Sequence, residues 1–224
     1  MVRELPEPSE LGAGHWRLRP WRDDPDERAA LLRAFADPLY RRWNTASAPT
    51  PDQRGVQRFL DLAARGRREH THVYWAVTEP PAPDASAPPA SDASEPSAPG
   101  AAPSVAGPGS VLGGIALGPI NRTARTAWIA YWLLPEARGR GVATGALCRV
   151  ADWAFVELGL HRIELGHAAG NGASCRVALR AGFVGEGLSR EAMVATDGAT
   201  RHDVHQHGRL ATDAPPAGCA GVPL

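Results

Sequence analysis

The 224 residues, enough for one sizeable domain, balance 24 acidic against 24 basic side chains, which points away from a general nucleic-acid binder. Every basic residue is Arg, and a chain without Lys forms no lysine Schiff base and lacks the lysine of a nucleotide-hydrolysing phosphate loop. No apolar run approaches the roughly 20 residues of a membrane-spanning helix. Met1 to Glu10 lacks the basic-then-apolar plan of a signal peptide, and Cys148, Cys175 and Cys219, without metal or redox spacing, read as reduced thiols of a cytoplasmic protein.

Residues 1–14 read as an N-terminal extension. His15 to Arg22 alternates apolar and polar side chains and predicts a strand. Asp24 or Asp26 caps a helix that runs through Ala36 and is stopped by Pro38. Thr50-Pro-Asp-Gln opens a second helix to about Gly66, with Pro51 at the first helical position. His72 to Thr78, rich in Val, Tyr and Trp, is a strand. Glu79 to Ser110 then holds 9 prolines, 9 alanines, 6 serines, four acids and no base. It has too little apolar surface to offset chain entropy and reads as a disordered loop between neighbouring strands of a hairpin.

Val111 to Ile120 and Thr126 to Leu134 are strands, the second central. A helix follows from Val142 to Leu158, ending at Gly159. His161 to His167 is a strand, and Asn171 opens a helix from Ala173 to Ala181 that Gly182 closes. Phe183 to Thr196 and Arg201 to Leu210 pair across an Asp197-Gly198 turn. Ala211 to Leu224 reads as unstructured, so the domain spans 15–212 and the tail 213–224. The order β-α-α-β-β-β-α-β-α-β-β is an α/β chain with a mixed sheet and helices on both faces.

The segment from Tyr131 to Thr144 carries most of the chemistry. A buried-strand pattern ends at Pro135, an Arg/Gly loop follows (Arg138-Gly-Arg-Gly141), and a helix starts directly after it. Glycines let backbone amides approach an anion, and a helix N-terminus favours negative charge. Gly139, Gly141 and Gly145 partly match a dinucleotide fingerprint, but Pro135 to Arg138 separate them from the strand. A bland alternative, an Arg/Gly surface turn, leaves unexplained why the glycines sit between strand and helix.

Arg138-x-x-Gly141-x-Ala143 resembles the acyl-CoA pyrophosphate signature of the GCN5-related N-acetyltransferase (GNAT) superfamily. Further segments occur in the matching order: Leu18-Arg-Pro-Trp-Arg22, Tyr131-Trp-Leu, Trp153 to Glu164, Asn171-Gly-Ala-Ser174 and Ala181 to Gly187. Together they resemble the ribosomal-protein N-terminal acetyltransferase (RimJ/RimL-type) branch, over about residues 15–212 apart from the insertion. The resemblance implies a mostly antiparallel seven-stranded sheet with a splayed parallel strand pair. It implies acetyl-CoA as cosubstrate and an amine acceptor, with no metal, nucleic acid or membrane partner and a monomer or homodimer as the assembly.

On that resemblance, amides of Gly139, Arg140, Gly141, Val142, Ala143 and Thr144 hold the diphosphate, with Arg138 and Arg140 as charge partners. The pantetheine arm runs along Tyr131 to Leu134, with Asn171 opposite, and an N–H near Leu133 is the oxyanion donor. Ser174 donates to the leaving thiolate; an ordinary helix Ser bonding its own backbone is the alternative. Related enzymes carry a glutamate where this chain has Trp128 or Met193, so the remaining candidate bases are Glu191, His167 and relayed water. His202, His205 and His207 share a strand but lack a completing ligand, and are expected to hold no metal.

The implied acceptor is a protein or peptide N-terminal α-amine. The alternatives are a small-molecule amine (antibiotic, toxin or polyamine) and a catalytically silent acyl-CoA-binding module.

Overall fold

The computed structural model describes residues 5–6, 10–80, 107 and 109–219. Eight strands form one sheet: β1 (Leu11–Ala13), β2 (Trp16–Pro20), β3 (Val73–Thr78), β4 (Val111–Asn121), β5 (Thr126–Leu133), β6 (Arg162–Ala168), β7 (Val184–Val194) and β8 (Arg201–Leu210). Their order is β1-β2-β3-β4-β5-β6-β8-β7, and only β5 and β6 run parallel. The helices are α1 (Pro25–Ala36), α2 (Pro38–Arg42), α3 (Gln53–Arg68), α4 (Val142–Val156) and α5 (Gly172–Arg180).

The eighth strand, β1, lies in the segment read as an extension. Gly14 takes a left-handed φ of 65° and turns the chain, so that Ala13 pairs with Trp16 and Leu11 with Leu18. Leu11 and Ala13 are buried, and the sheet therefore begins before residue 15. α1 ends at Ala36, ahead of Pro38, as expected, and Pro38 then opens the unanticipated short helix α2. Proline suits a first helical turn, and the Asp37 side chain accepts from the Tyr40 amide at 2.8 Å. Pro51, by contrast, is not the first residue of α3: Asp52 caps that helix through the Gly55 amide at 2.7 Å and sets its start at Gln53. β3 and β4 are hairpin partners, and the Glu79 amide donates to Ser110 O at 3.0 Å. Most of the proline-rich insertion (81–106 and 108) lies outside the described residues, as do 220–224.

Two apolar layers flank the sheet. Under α4, Leu147, Val150, Trp153 and Ala154 pack on Leu18, Trp75, Ile115, Ile129 and Leu165. On the opposite face, Leu31, Phe35, Val56 and Phe59 of α1 and α3 close over Leu134. The sheet thus presents one face to α4 and α5 and the other to α1 and α3, and an opening in it connects the two sides.

The C-terminal segment departs from expectation. A 3-10 turn at Ala217–Cys219 lies against α4, and Cys219 is bonded to Cys148 of that helix. Only Cys175 remains a free thiol. The partners are 71 residues apart in sequence, and their Cα atoms are 5.5 Å apart; spacing along the chain carried no sign of the pairing, which depends on the C-terminus folding back over α4. Closing so long a loop lowers the entropy of the unfolded chain. Cys219→Ser should cost up to about 4 kcal/mol in urea unfolding under non-reducing conditions. Reductant should impose the same loss on the unsubstituted protein and none on the variant.

Candidate active site

β5 and β6 stay paired only from Thr126↔Arg162 to Trp128↔Glu164, and then splay apart. Beyond Trp128 the other edge of β5 remains paired with β4, as far as Leu133↔Gly113. The Leu134 amide donates to Leu112 O at 2.9 Å, towards β4. Alternation along the strand then turns the N–H and C=O of Leu133 and Tyr131 towards the open gap. The gap is a 560 Å³ cleft lined by Leu133, Arg138, Gly139, Gly141, Val142, Ala143, Thr144, His167, Asn171 and Ser174. Leu134 is fully buried beneath α1 and α3 and does not line it.

At one end of the cleft, residues Pro135–Ala137 make a 3-10 turn, and Gly139 and Gly141 adopt left-handed φ values of 76° and 83°. Gly141 is the N-cap of α4 and has no side chain to cap it, so the first-turn amides keep their donors for an anion. Trp16 packs against this turn; a Cβ on Gly141 would sit 3.6 Å from its ring, and one on Gly145 only 3.2 Å.

The two arginines of the loop are engaged with protein carboxylates. Arg138 donates to Asp37 Oδ1 at 2.6 Å and to Leu133 O at 3.0 Å, and so ties the loop to the α1–α2 corner. Arg140 pairs with Glu79 at 2.7 Å. Burial works to raise the Asp37 pKa, but Arg138 and the Tyr40 amide outweigh it and hold the carboxyl below its usual 3.8. A depressed carboxylate contributes stability above its unfolded pKa and loses it as pH falls through the folded one. Asp37→Asn keeps a good N-cap and removes only the charge. The melting-temperature gap between the two proteins should therefore be present at pH 7 and close as pH falls below 3.8.

At the other end, the Tyr131 hydroxyl lies 2.9 Å from Ser174 Oγ. Burial pushes the Tyr131 pKa up to about 12, so the phenol keeps its proton. Asn171 caps α5 by accepting from the Ser174 amide at 3.2 Å, which fixes Ser174 in the first turn and frees its hydroxyl for Tyr131. The Tyr131 phenol was missed in the sequence, where Tyr131 figured only as strand backbone.

His167 is buried at the splay, with Nδ1 2.9 Å from Ala168 O. Burial, with smaller contributions from His207 and His205, holds its pKa below 6.5 despite that carbonyl. The ring is therefore neutral at physiological pH. Glu191 lies elsewhere. A bulge between Ser189 and Met193 breaks the alternation that would place it beside Met193, its φ is 50°, and it is exposed. Met193 lines the cleft and Glu191 does not.

A second cleft of 790 Å³ opens on the α1/α3 side. Its walls are aromatic: Trp132 stacks on Trp21 at 5.9 Å and meets Tyr40 edge-on at 6.2 Å, while Phe59 meets Tyr74 at 5.7 Å. Arg58, Asp61, Arg65 and His72 add a mixed but mainly basic rim. Both clefts are lined by Tyr40, Asn44, Thr45, Ala130, Tyr131 and Trp132, so they meet at the open edge of β5. Among the described residues, no helix is long and apolar enough to cross a membrane.

The family profile described as "Acetyltransferase (GNAT) domain" matches residues 15–184. No curated protein sequence matches the chain. Among solved structures, Mycobacterium smegmatis RimJ in complex with CoA-disulfide superposes with a TM-score of 0.73 at 23% identity, covering 95% of this chain and 92% of that one. The ribosomal α-N-protein acetyltransferase RimL in complex with coenzyme A gives 0.68 at 16% identity, covering 90% and 98%. The microcin C7 self-immunity acetyltransferase MccE, in complex with acetyl-CoA and AMP, gives 0.65 at 16%, covering 88% and 92%. At these identities the likeness is one of fold.

Proposed function

This chain belongs to the acetyltransferase (GNAT) family, and from that premise we propose that it transfers the acetyl group of acetyl-CoA to the N-terminal α-amine of a protein or peptide. The observation that carries the reading is the meeting of two clefts at the unpaired edge of β5, with an uncapped helix N-terminus at the far end of one of them. The residues of the splayed cleft fit acetyl-CoA: amides of Gly139 to Thr144 for the diphosphate, and the β5 edge for the pantetheine amides. Bound acetyl-CoA supplies the thioester. The Leu133 N–H would face its carbonyl oxygen, and the Tyr131 and Ser174 hydroxyls would face its sulfur. Arg138 acts here as a clamp on the loop through Asp37 and Leu133 O.

An amine entering from the aromatic cleft must attack uncharged. An α-amine titrates near pH ~7.7–8.0, so a useful fraction is already neutral. His167 is the proton acceptor we favour, because its ring is neutral, lies in the splay and holds its Nδ1 against a carbonyl. A small-molecule acceptor is the second reading, favoured by the size and aromatic lining of the 790 Å³ cleft. The mainly basic rim disfavours a polycation in either case.

The test is thiol release from acetyl-CoA with a panel of peptides, aromatic amines and polyamines, with mass spectrometry locating the acetyl group. Acetylation at peptide α-amines supports the proposal. Turnover on small aromatic amines alone favours the second reading, and tight CoA binding without turnover on any acceptor overturns both.

A further inference from the structure

Three groups that are far apart in sequence converge beneath α5. His167 on β6 is the cross-strand partner of His205 on β8, so both side chains share one face of the sheet. Cys175 reaches the same place from the first turn of α5. One ligand atom from each of the three lies within 4.8 Å of the others. We propose that His167, His205 and Cys175 form a binding site for a borderline-soft divalent transition metal, with zinc the metal that this donor set fits.

The donor chemistry is two imidazoles and one thiol, the combination that selects zinc, cobalt or copper over calcium or magnesium. A tetrahedral metal would close the remaining distance between the donors by small side-chain rotations. The surroundings also fit: Ala168 O, 2.9 Å from His167 Nδ1, would hold a ring proton there when Nε2 ligates.

A second observation comes from His207. Its Nε2 lies 3.1 Å from His167 Nε2, and its own Nδ1 also faces a carbonyl, Phe183 O at 3.4 Å. One of the two Nε2 atoms donates to the other, so a third imidazole is held directly against the cluster. Three protein ligands leave one tetrahedral position, and His207 is the nearest further donor. Metal binding would occupy the ring assigned above to proton removal, so the two roles of His167 would exclude each other.

The test uses the full chain, freed of metal by chelation, without reductant and without acetyl-CoA. Cobalt(II) should bind with one equivalent per chain and show a near-ultraviolet thiolate-to-cobalt band, which zinc should bleach by displacement. With Cys148 and Cys219 joined, only Cys175 can supply that sulfur. Cys175→Ser should remove the band and weaken binding by more than about 100-fold, beyond what loss of an outer-shell partner costs. His205→Gln should weaken it similarly. Should either variant fail to fold, zinc protection of Cys175 from alkylation in the unsubstituted chain provides the same reading. No binding, binding without the sulfur band, or alkylation unaffected by zinc overturns the proposal.

Discussion

Gly141→Glu should abolish measurable CoA binding in calorimetry while leaving a cooperatively folded protein. Three effects act together at this position. Gly141 holds a φ of 83°, where an L side chain costs roughly 1–2 kcal/mol. It is the N-cap of α4, so its side chain would project where the first-turn amides converge. The added carboxylate would itself take up those amides and repel a diphosphate. The nearest obstacle to a Cβ is the Trp16 ring at 3.6 Å, which is ordinary contact, so the chain can accommodate the change without losing its core. Gly141→Ala separates the contributions: it keeps the backbone strain without the charge, and should lower the melting temperature as much while only weakening CoA binding. Unchanged affinity in Gly141→Glu would show that the diphosphate is held elsewhere.

That loop was legible because everything defining it is local. A strand, two glycines and a helix start fall within about a dozen residues, and the backbone geometry follows from residue type. Most of the remaining strands and helices were legible for the same reason, through alternation, caps and closing glycines such as Gly159 and Gly182; β1 and α2 were not. The hairpin flanking the insertion also followed, since two apolar runs separated by a stretch unable to fold are natural partners.

What escaped depends on contacts between distant residues, or on a broken period. The role of Arg138 is set by Asp37, 101 residues away, and the state of Cys148 by Cys219. Glu191 was placed by counting twos along a strand, and a bulge invalidates that count. The histidines were grouped by proximity in sequence as His202, His205 and His207. The sheet instead sets His205 opposite His167, and a helix delivers Cys175 to them. Pro38 does stop α1, but the helix it opens under the Asp37 cap was not anticipated.

Tyr131→Phe should lower kcat by about 100-fold, the scale of one lost transition-state donor, with the KM for acetyl-CoA changed by only a few fold. The magnitude of the pKa decides how the phenol works. A tyrosine near 12 is a much weaker acid than a thiol, whose ordinary value is about 8.5, so passing its proton to the departing sulfur is uphill. On the proposed reading it would instead stabilise the developing thiolate by hydrogen bonding, without giving the proton up. Ser174 Oγ, 2.9 Å away, belongs to the same chain of hydroxyls, and each polarises the other. Ser174→Ala should therefore cost a similar factor, and the double variant little more than either single one, because the hydroxyls act as a unit. The alkaline limb of the kcat profile should not move in Tyr131→Phe below about pH 10, since the phenol does not ionise there. A purely structural phenol would lower the melting temperature and leave kcat intact, while full additivity in the double variant would mean that the two hydroxyls serve different steps.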